Sequence, residues 1–193
     1  MAINPKEGKL LYHLTALDNL PSIIENGLKP RAQLKKFTDV ADPEIIVHRS
    51  DFNLNSSVPF HFYAPTPFSG SVQKAWPKEQ FVYLTIERKL ALKNNFGVIP
   101  RHPLSFKSDP LPYNKGIDTI DWELMGKRDY LDHDCKEVCM AECLTHEPIL
   151  FEFIRFIYVK NEPDRILVND FMKKATKTHS GFSIFINPNM FVK

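Results

Sequence analysis

Phe81–Ile86 (FVYLTI) is the clearest strand in the chain, an uncharged run of aromatic, β-branched and leucine residues too short for a helix. Other segments read the same way. Lys9–His13 (KLLYH) is a short buried strand, and Val58–Tyr63 (VPFHFY), Phe96–Ile99, Phe153–Val159 (FIRFIYV) and Phe182–Ile186 (FSIFI) follow it along the chain. Helical patterns fall between them. Leu17, Leu20, Ile23 and Ile24 recur at helical spacing, with Thr15 as the expected N-cap, Asp18 favoured by the helix dipole, Pro21 tolerated near the start and Gly27 as the stop. Pro43–His48, Arg88–Lys93, Thr119–Met125 and Asp164–Lys174 are further expected helices, and Glu137–Leu144 fits either helix or strand. Pro65, Pro67, Ser69 and Gly70 predict an irregular stretch, and residues 100–118 a long loop.

Strands and helices thus interleave irregularly, which predicts an α+β domain. No GxGxxG or GxxxxGK[ST] is present, so a doubly wound nucleotide fold is disfavoured. The 193 residues suit one domain, 1–193, and neither a linker nor a repeat divides them. Fifteen prolines against seven glycines point to stiffened connections. The first residues hold no apolar run fit for a signal peptide, and no uncharged stretch is long enough to span a bilayer. Three cysteines without a secretory signal agree with a reducing cytoplasm.

The formal net charge of +2 is too small to diagnose a nucleic-acid partner. Local clusters carry more: Lys29, Arg31, Lys35 and Lys36; Lys127 and Arg128; Lys173, Lys174 and Lys177. Each has a solvated face as its ordinary reading. The first is the best DNA candidate, because it falls in a loop beside the first strand and helix.

Four places offer chemistry. His13 and Thr15, at a strand end before a helix, can present imidazole and hydroxyl to one ligand, such as a ribose; a core histidine beside a helix cap is the alternative. Arg49, in PEIIVHR, can hold a pyrophosphate in its guanidinium fork or simply lie at a helix C-terminus. Glu142, in CMAECL, is flanked by apolar residues, and a buried carboxylate there needs a sugar hydroxyl or an arginine as partner; otherwise it is a solvent-facing helix glutamate. Cys135, Cys139 and Cys143 are four apart, with His133 and His146 near. On a helix the outer two would lie roughly 12 Å apart, and on a strand neighbouring ones about 13 Å. Bonds of about 2.3 Å to one zinc are then beyond all three, which reads them as small buried hydrophobes and predicts no metal. Asp132, His133 and Asp134, or a Cys–His pair, show nothing that would activate a nucleophile.

The order of segments adds a resemblance. LYHLTALDNLPSIIENGL resembles the opening of DarT proteins, ADPEIIVHR with VPFHFYAPTPF their arginine segment and following strand, and IDTIDWELMGKRDY with MAECL their Asp-Trp helix and Ala-Glu segment. The likeness is collinear over roughly residues 10–160. It implies an ADP-ribosyltransferase-like fold, a split mixed β-sheet with surrounding helices and NAD in the cleft. His13 and Thr15 would bind NAD on the nicotinamide-ribose side, and Asn19 would shape the pocket. Arg49 would engage NAD phosphate and position or activate the target base, and Glu142, on a strand edge, would be the catalytic glutamate. His102 is a candidate substrate-contacting histidine on a stretch that matches less well. The implied activity is NAD-dependent ADP-ribosylation of single-stranded DNA by a toxin whose partner is a macrodomain antitoxin. DFNLNSS stands where many relatives carry a glycine-rich segment, so thymine and guanine both stay open as target. An RNA or protein acceptor, or an inactive DNA-binding relative, are the rival readings.

Overall fold

The computed structural model describes residues 4–40, 54–177 and 180–193. The expected helix Pro43–His48 and Arg49 lie outside them. Among the described residues eight strands form one mixed sheet: β1 (Leu10–Ala16), β2 (Val58–His61), β3 (Phe81–Glu87), β4 (Gly97–Ile99), β5 (Leu111–Pro112), β6 (Glu142–Thr145), β7 (Phe156–Val159) and β8 (Ser183–Ile186). Their spatial order is β5-β4-β6-β2-β1-β3-β7-β8, and only β7 and β8 run parallel. Helices α1 (Leu20–Asn26), α2 (Pro67–Ala75), α3 (Arg88–Lys93), α4 (Tyr113–Thr119), α5 (Trp122–Lys127), α6 (His133–Val138) and α7 (Glu162–Lys174) surround it.

FVYLTI is buried throughout because β3 lies between β1 and β7 with both faces covered. Val82, Leu84 and Ile86 enter the main core with Ile23, Ile24 and Val168 of α1 and α7. Phe81 and Tyr83 point the other way, into a smaller cluster with Val72, Met190 and Phe191. Gly27 ends α1 at φ +78°, where a Cβ would sit 2.8 Å from the carbonyl oxygen of Ile149. That close approach lets Leu28 and Ile149 exchange backbone hydrogen bonds of 2.8 and 2.9 Å.

Several expectations need correction. Thr15 does not cap a helix: β1 continues to Ala16, and Thr15 pairs with Val82 of β3. A 3-10 turn at Leu17–Asn19 intervenes before α1, so sheet pairing wins over the cap. The stretch expected to be irregular holds α2. There Thr66 and Ser69 form a reciprocal capping box and Pro67 occupies the first turn, so the residues that look like breakers are a helix start. The expected loop 100–118 contains β5 and most of α4. Asp121 caps α5 by accepting from Leu124 N at 2.9 Å, so that helix begins after Thr119. Glu137–Leu144 divides: α6 ends at Val138 and β6 starts at Glu142. Phe153 belongs to a 3-10 turn ahead of β7.

Candidate active site at the split in the sheet

β1 and β2 are neighbours, but their register contains a single pair, Tyr12↔His61. Pro59 supplies a physical reason. Its carbonyl faces β1, since the His13 ring nitrogen Nδ1 donates to it at 2.8 Å. A residue's N–H and C=O leave a strand on the same side, so the donor that proline lacks is missing on the β1 edge. The sheet therefore opens beyond Tyr12, and a side-chain hydrogen bond spans the gap.

The opening brings together residues that an unbroken sheet would hold apart. His61 pairs with Tyr12 on one side and with Glu142 of β6 on the other, so these three side chains share a face. His13 follows Tyr12 and therefore lies on the opposite face, where its ring meets Phe60 at 5.7 Å between centroids. Yet His13, Thr15, Asn19, His61 and Glu142 all line one cleft. Its cavity volume is ≈ 180 Å³, open to solvent at the mouth.

Each side chain is held by identifiable partners. His61 Nδ1 donates to the Ala141 carbonyl at 3.1 Å, one residue before Glu142, which fixes its ring beside that carboxylate's strand. Because carbonyls only accept, Nδ1 carries the proton in His13 and in His61, and in the neutral ring Nε2 is the acceptor. Glu142 is buried at the start of β6, whose neighbours are β2 and β4. The segment is thus a strand, as the resemblance implies, but an interior one. Asn19 stands at the N-cap position of α1 without capping it. Its amide instead donates to Thr15 Oγ1 (3.1 Å) and to Thr38 O (2.9 Å), and accepts from Thr38 N at 2.8 Å. It thereby ties the basic loop to the end of β1. In that loop Arg31 pairs with Asp39 through Nη1 and Nη2 and stacks over Phe37 at 5.5 Å. Lys29, Arg31 and Lys36 line the cleft, and Lys35 is not among its lining residues.

Sequence reading passes over His61. Its signal is a histidine inside the otherwise apolar strand VPFHFY, a polar ring that must find a partner there. His102 joins it: with His61, Phe68 and Glu142 it lines a smaller cavity, and its Nδ1 accepts from Leu104 N at 3.1 Å. The other basic clusters lie elsewhere. Lys173 pairs with Asp170, and Lys177 donates to Glu25 O, both on the surface near α7 and α1. All three cysteines are buried, with thiols donating to Leu124 O (3.1 Å, Cys135) and Met125 O (3.6 Å, Cys139). Burial pushes the Cys139 thiol up to about 11 and raises that of Cys143 further. Among the described residues no group of three or more His, Cys, Asp or Glu is placed to hold a metal ion. No helix there is long and apolar enough to cross a membrane.

Residues 12–192 match the family described as ssDNA thymidine ADP-ribosyltransferase, DarT. The chain belongs to the DarT family. Solved structures share its fold. Thermus sp. 2.9 DarT in complex with ADP-ribosylated ssDNA superposes with a TM-score of 0.80 at 19% identity, over 96% of this chain and 97% of that one. The complex of the same Thermus protein with NAD+ gives 0.79 at 18%, covering 96% and 98%. Thermosipho africanus DarTG in complex with ADP-ribose gives 0.72 at 18% identity, covering 95% of this chain and 51% of that one. A comparison with curated proteins gives no match. This DarT-family chain therefore has the α+β fold of ADP-ribosyltransferases, and its split sheet is where that fold opens.

Proposed function

We propose that this chain cleaves NAD and transfers the ADP-ribose to thymine in single-stranded DNA. The observation that carries the reading is the convergence of His13 and Glu142, from opposite faces of the sheet, on one cleft. The family description, which names thymidine in ssDNA, favours thymine over guanine. Thermus DarT complexed with NAD+ and with ADP-ribosylated ssDNA supports both substrates.

The lining suits a dinucleotide. Thr15 offers a hydroxyl for ribose, held in place by Asn19, Lys29 and Lys36 offer positive charge for pyrophosphate, and Ile23, Leu28 and Leu34 give apolar wall for a ring. His13, oriented by Pro59, binds on the nicotinamide-ribose side with Thr15 beside it. Arg49 keeps the role the family resemblance implies, engaging phosphate and positioning the target base. Glu142 accepts a hydrogen bond from the ribose 2-hydroxyl and stabilises the positive charge that develops as the bond to nicotinamide breaks. Nicotinamide leaves with the bonding electron pair, a base nitrogen bonds to the anomeric carbon, and that nitrogen's proton is released. A single-stranded substrate avoids an unstacking and unpairing cost of a few kcal/mol that a duplex imposes.

Such a transferase damages its own host's DNA, so we place it as the toxin of a toxin–antitoxin pair whose antitoxin is a macrodomain protein that removes ADP-ribose. The Thermosipho DarTG chain, about half of which matches this one, supports a second component. Mass analysis of oligonucleotides that each lack one base, after incubation with NAD, tests the base. Addition of one ADP-ribose to every oligonucleotide except the thymine-free one is expected, and modification of that one overturns thymine as the target. Removal of the adduct by a macrodomain hydrolase is expected, and a resistant adduct counts against the antitoxin assignment.

A further inference from the structure

The half-sheet of β1, β3, β7 and β8 has two unlike faces. One is packed in the main core beneath α1 and α7. On the other, the register places Tyr12, Thr85, Phe156 and Ser183 in one row, and Leu14, Tyr83, Tyr158 and Phe185 in the next. The rings adjoin. Centroids lie 6.4 Å apart for Tyr12–Tyr158, 5.4 Å for Phe156–Phe185 and 5.8 Å for the stacked pair Tyr158–Phe185. Phe191 covers Tyr83, whereas Phe156 and Tyr158 are half-buried and Phe185 is 46% exposed.

Positive charge borders these rings. The adjacent groove is lined by Lys9, Arg88, Lys89, Arg128 and Arg155 against two carboxylates, Glu7 and Glu87. Arg155 lies over Phe156 at 5.3 Å and Arg128 over Tyr63 at 4.7 Å, so two guanidinium groups are seated on aromatic rings. Arg88, at the groove's floor, donates to four backbone carbonyls, those of Pro5, Lys6, Leu10 and Phe62, and so keeps its charge there. Partly exposed aromatic rings at the β7–β8 end of this face, beside cations, match a single-stranded nucleic acid, whose bases stack while its phosphates pair with the cations. An acidic peptide would use the cations and leave the rings unexplained.

The catalytic row reaches this face. Glu142, His61 and Tyr12 are cross-strand neighbours, which puts Tyr12 two strands, roughly 10 Å, from Glu142 on the same side of the sheet. We propose that DNA flanking the modified nucleotide runs across this face, stacking bases on Tyr158 and Phe185 with its backbone held by Arg128 and Arg155. This rests on the DNA-modifying reading given above.

Binding of labelled single-stranded DNA, short and several times longer, to the full chain tests it, together with transfer kinetics on both lengths. Removing a stacking ring costs about 1–3 kcal/mol, so Phe185→Ala should weaken the longer strand about fivefold or more. Phe185→Trp should restore it, and Arg155→Glu should weaken binding and flatten its salt dependence. The kcat on the short strand should not change, and an unaltered melting temperature shows that the fold is intact. Unchanged affinity and KM for the longer strand in Phe185→Ala, Tyr158→Ala and Arg155→Glu overturns the proposal, as does stronger binding of RNA of the same sequence to this face. Failure here with normal DNA labelling leaves the functional reading standing. Conversely, ring-dependent DNA binding without any transfer removes the functional reading and keeps the surface.

Discussion

The two edges of β1 behave differently. Toward β3 all seven residues from Leu10 to Ala16 are paired, whereas toward β2 only Tyr12 is. One edge is scaffold and the other is site. The contrast shows how little sequence is needed to open a sheet: Pro59 removes one donor, and His13 meets the carbonyl left behind. A ladder continued past Tyr12 would gain hydrogen bonds but close the cleft between His13 and Glu142.

Substitutions can break or sharpen this contrast. The largest stability effect is expected on the β2 side of the split, where α4 packs on β4, the strand that pairs with β6. A Cβ on Gly116 would lie 2.3 Å from Val98 Cβ. Helix propensity favours alanine by about 1 kcal/mol, but overpacking costs about 1–3 kcal/mol or more, and at this distance the clash wins. Gly116→Ala should lower stability by about 2 kcal/mol in denaturant titration, and a gain would show that β4 yields easily. At the split, His13→Phe should lower transfer about tenfold or more with little change in melting temperature, because the scaffold edge of β1 is untouched. An equal loss of stability would make His13 a strut. Asn19→Ala should release the 31–40 loop from β1 and raise the KM for NAD a few-fold with kcat nearly constant, readable by steady-state kinetics. Smallest is Asn161→Ala on the scaffold side. Asn161 caps α7 by accepting from Asp164 N at 2.9 Å, so about 1 kcal/mol of stability should go while activity stays.

Local chemistry made part of this fold legible. FVYLTI, the Leu17–Gly27 helix pattern and the other apolar runs give β1, β2, β3, β4, β7, β8 and α1 to within a few residues, whereas β5 falls in an expected loop and β6 in a segment that fits helix or strand. What escapes is where one residue type has two local uses. Thr66-Pro67-Phe68-Ser69 looks like a break and is a capped helix start. Thr15 looks like a cap and is a paired strand residue whose hydroxyl accepts from Asn19. The site divides similarly. His13, Thr15 and Glu142 can be singled out from local signals in the chain, and Asn19 through the resemblance alone. That they share one cleft depends on cross-strand register, which no single segment encodes. His61 escapes for the same reason: only its pairing with Tyr12 and Glu142 gives it a place.

The central claim is that the split in the sheet delivers Glu142 to the bond that breaks in NAD. Its most direct measurement is transfer of labelled ADP-ribose from NAD to single-stranded DNA by Glu142→Gln, alongside NAD binding by calorimetry. Transfer should fall by roughly 100-fold or more, the scale on which losing one charge-stabilising group acts, while NAD affinity and melting temperature hold. Transfer at the unsubstituted rate would contradict the account.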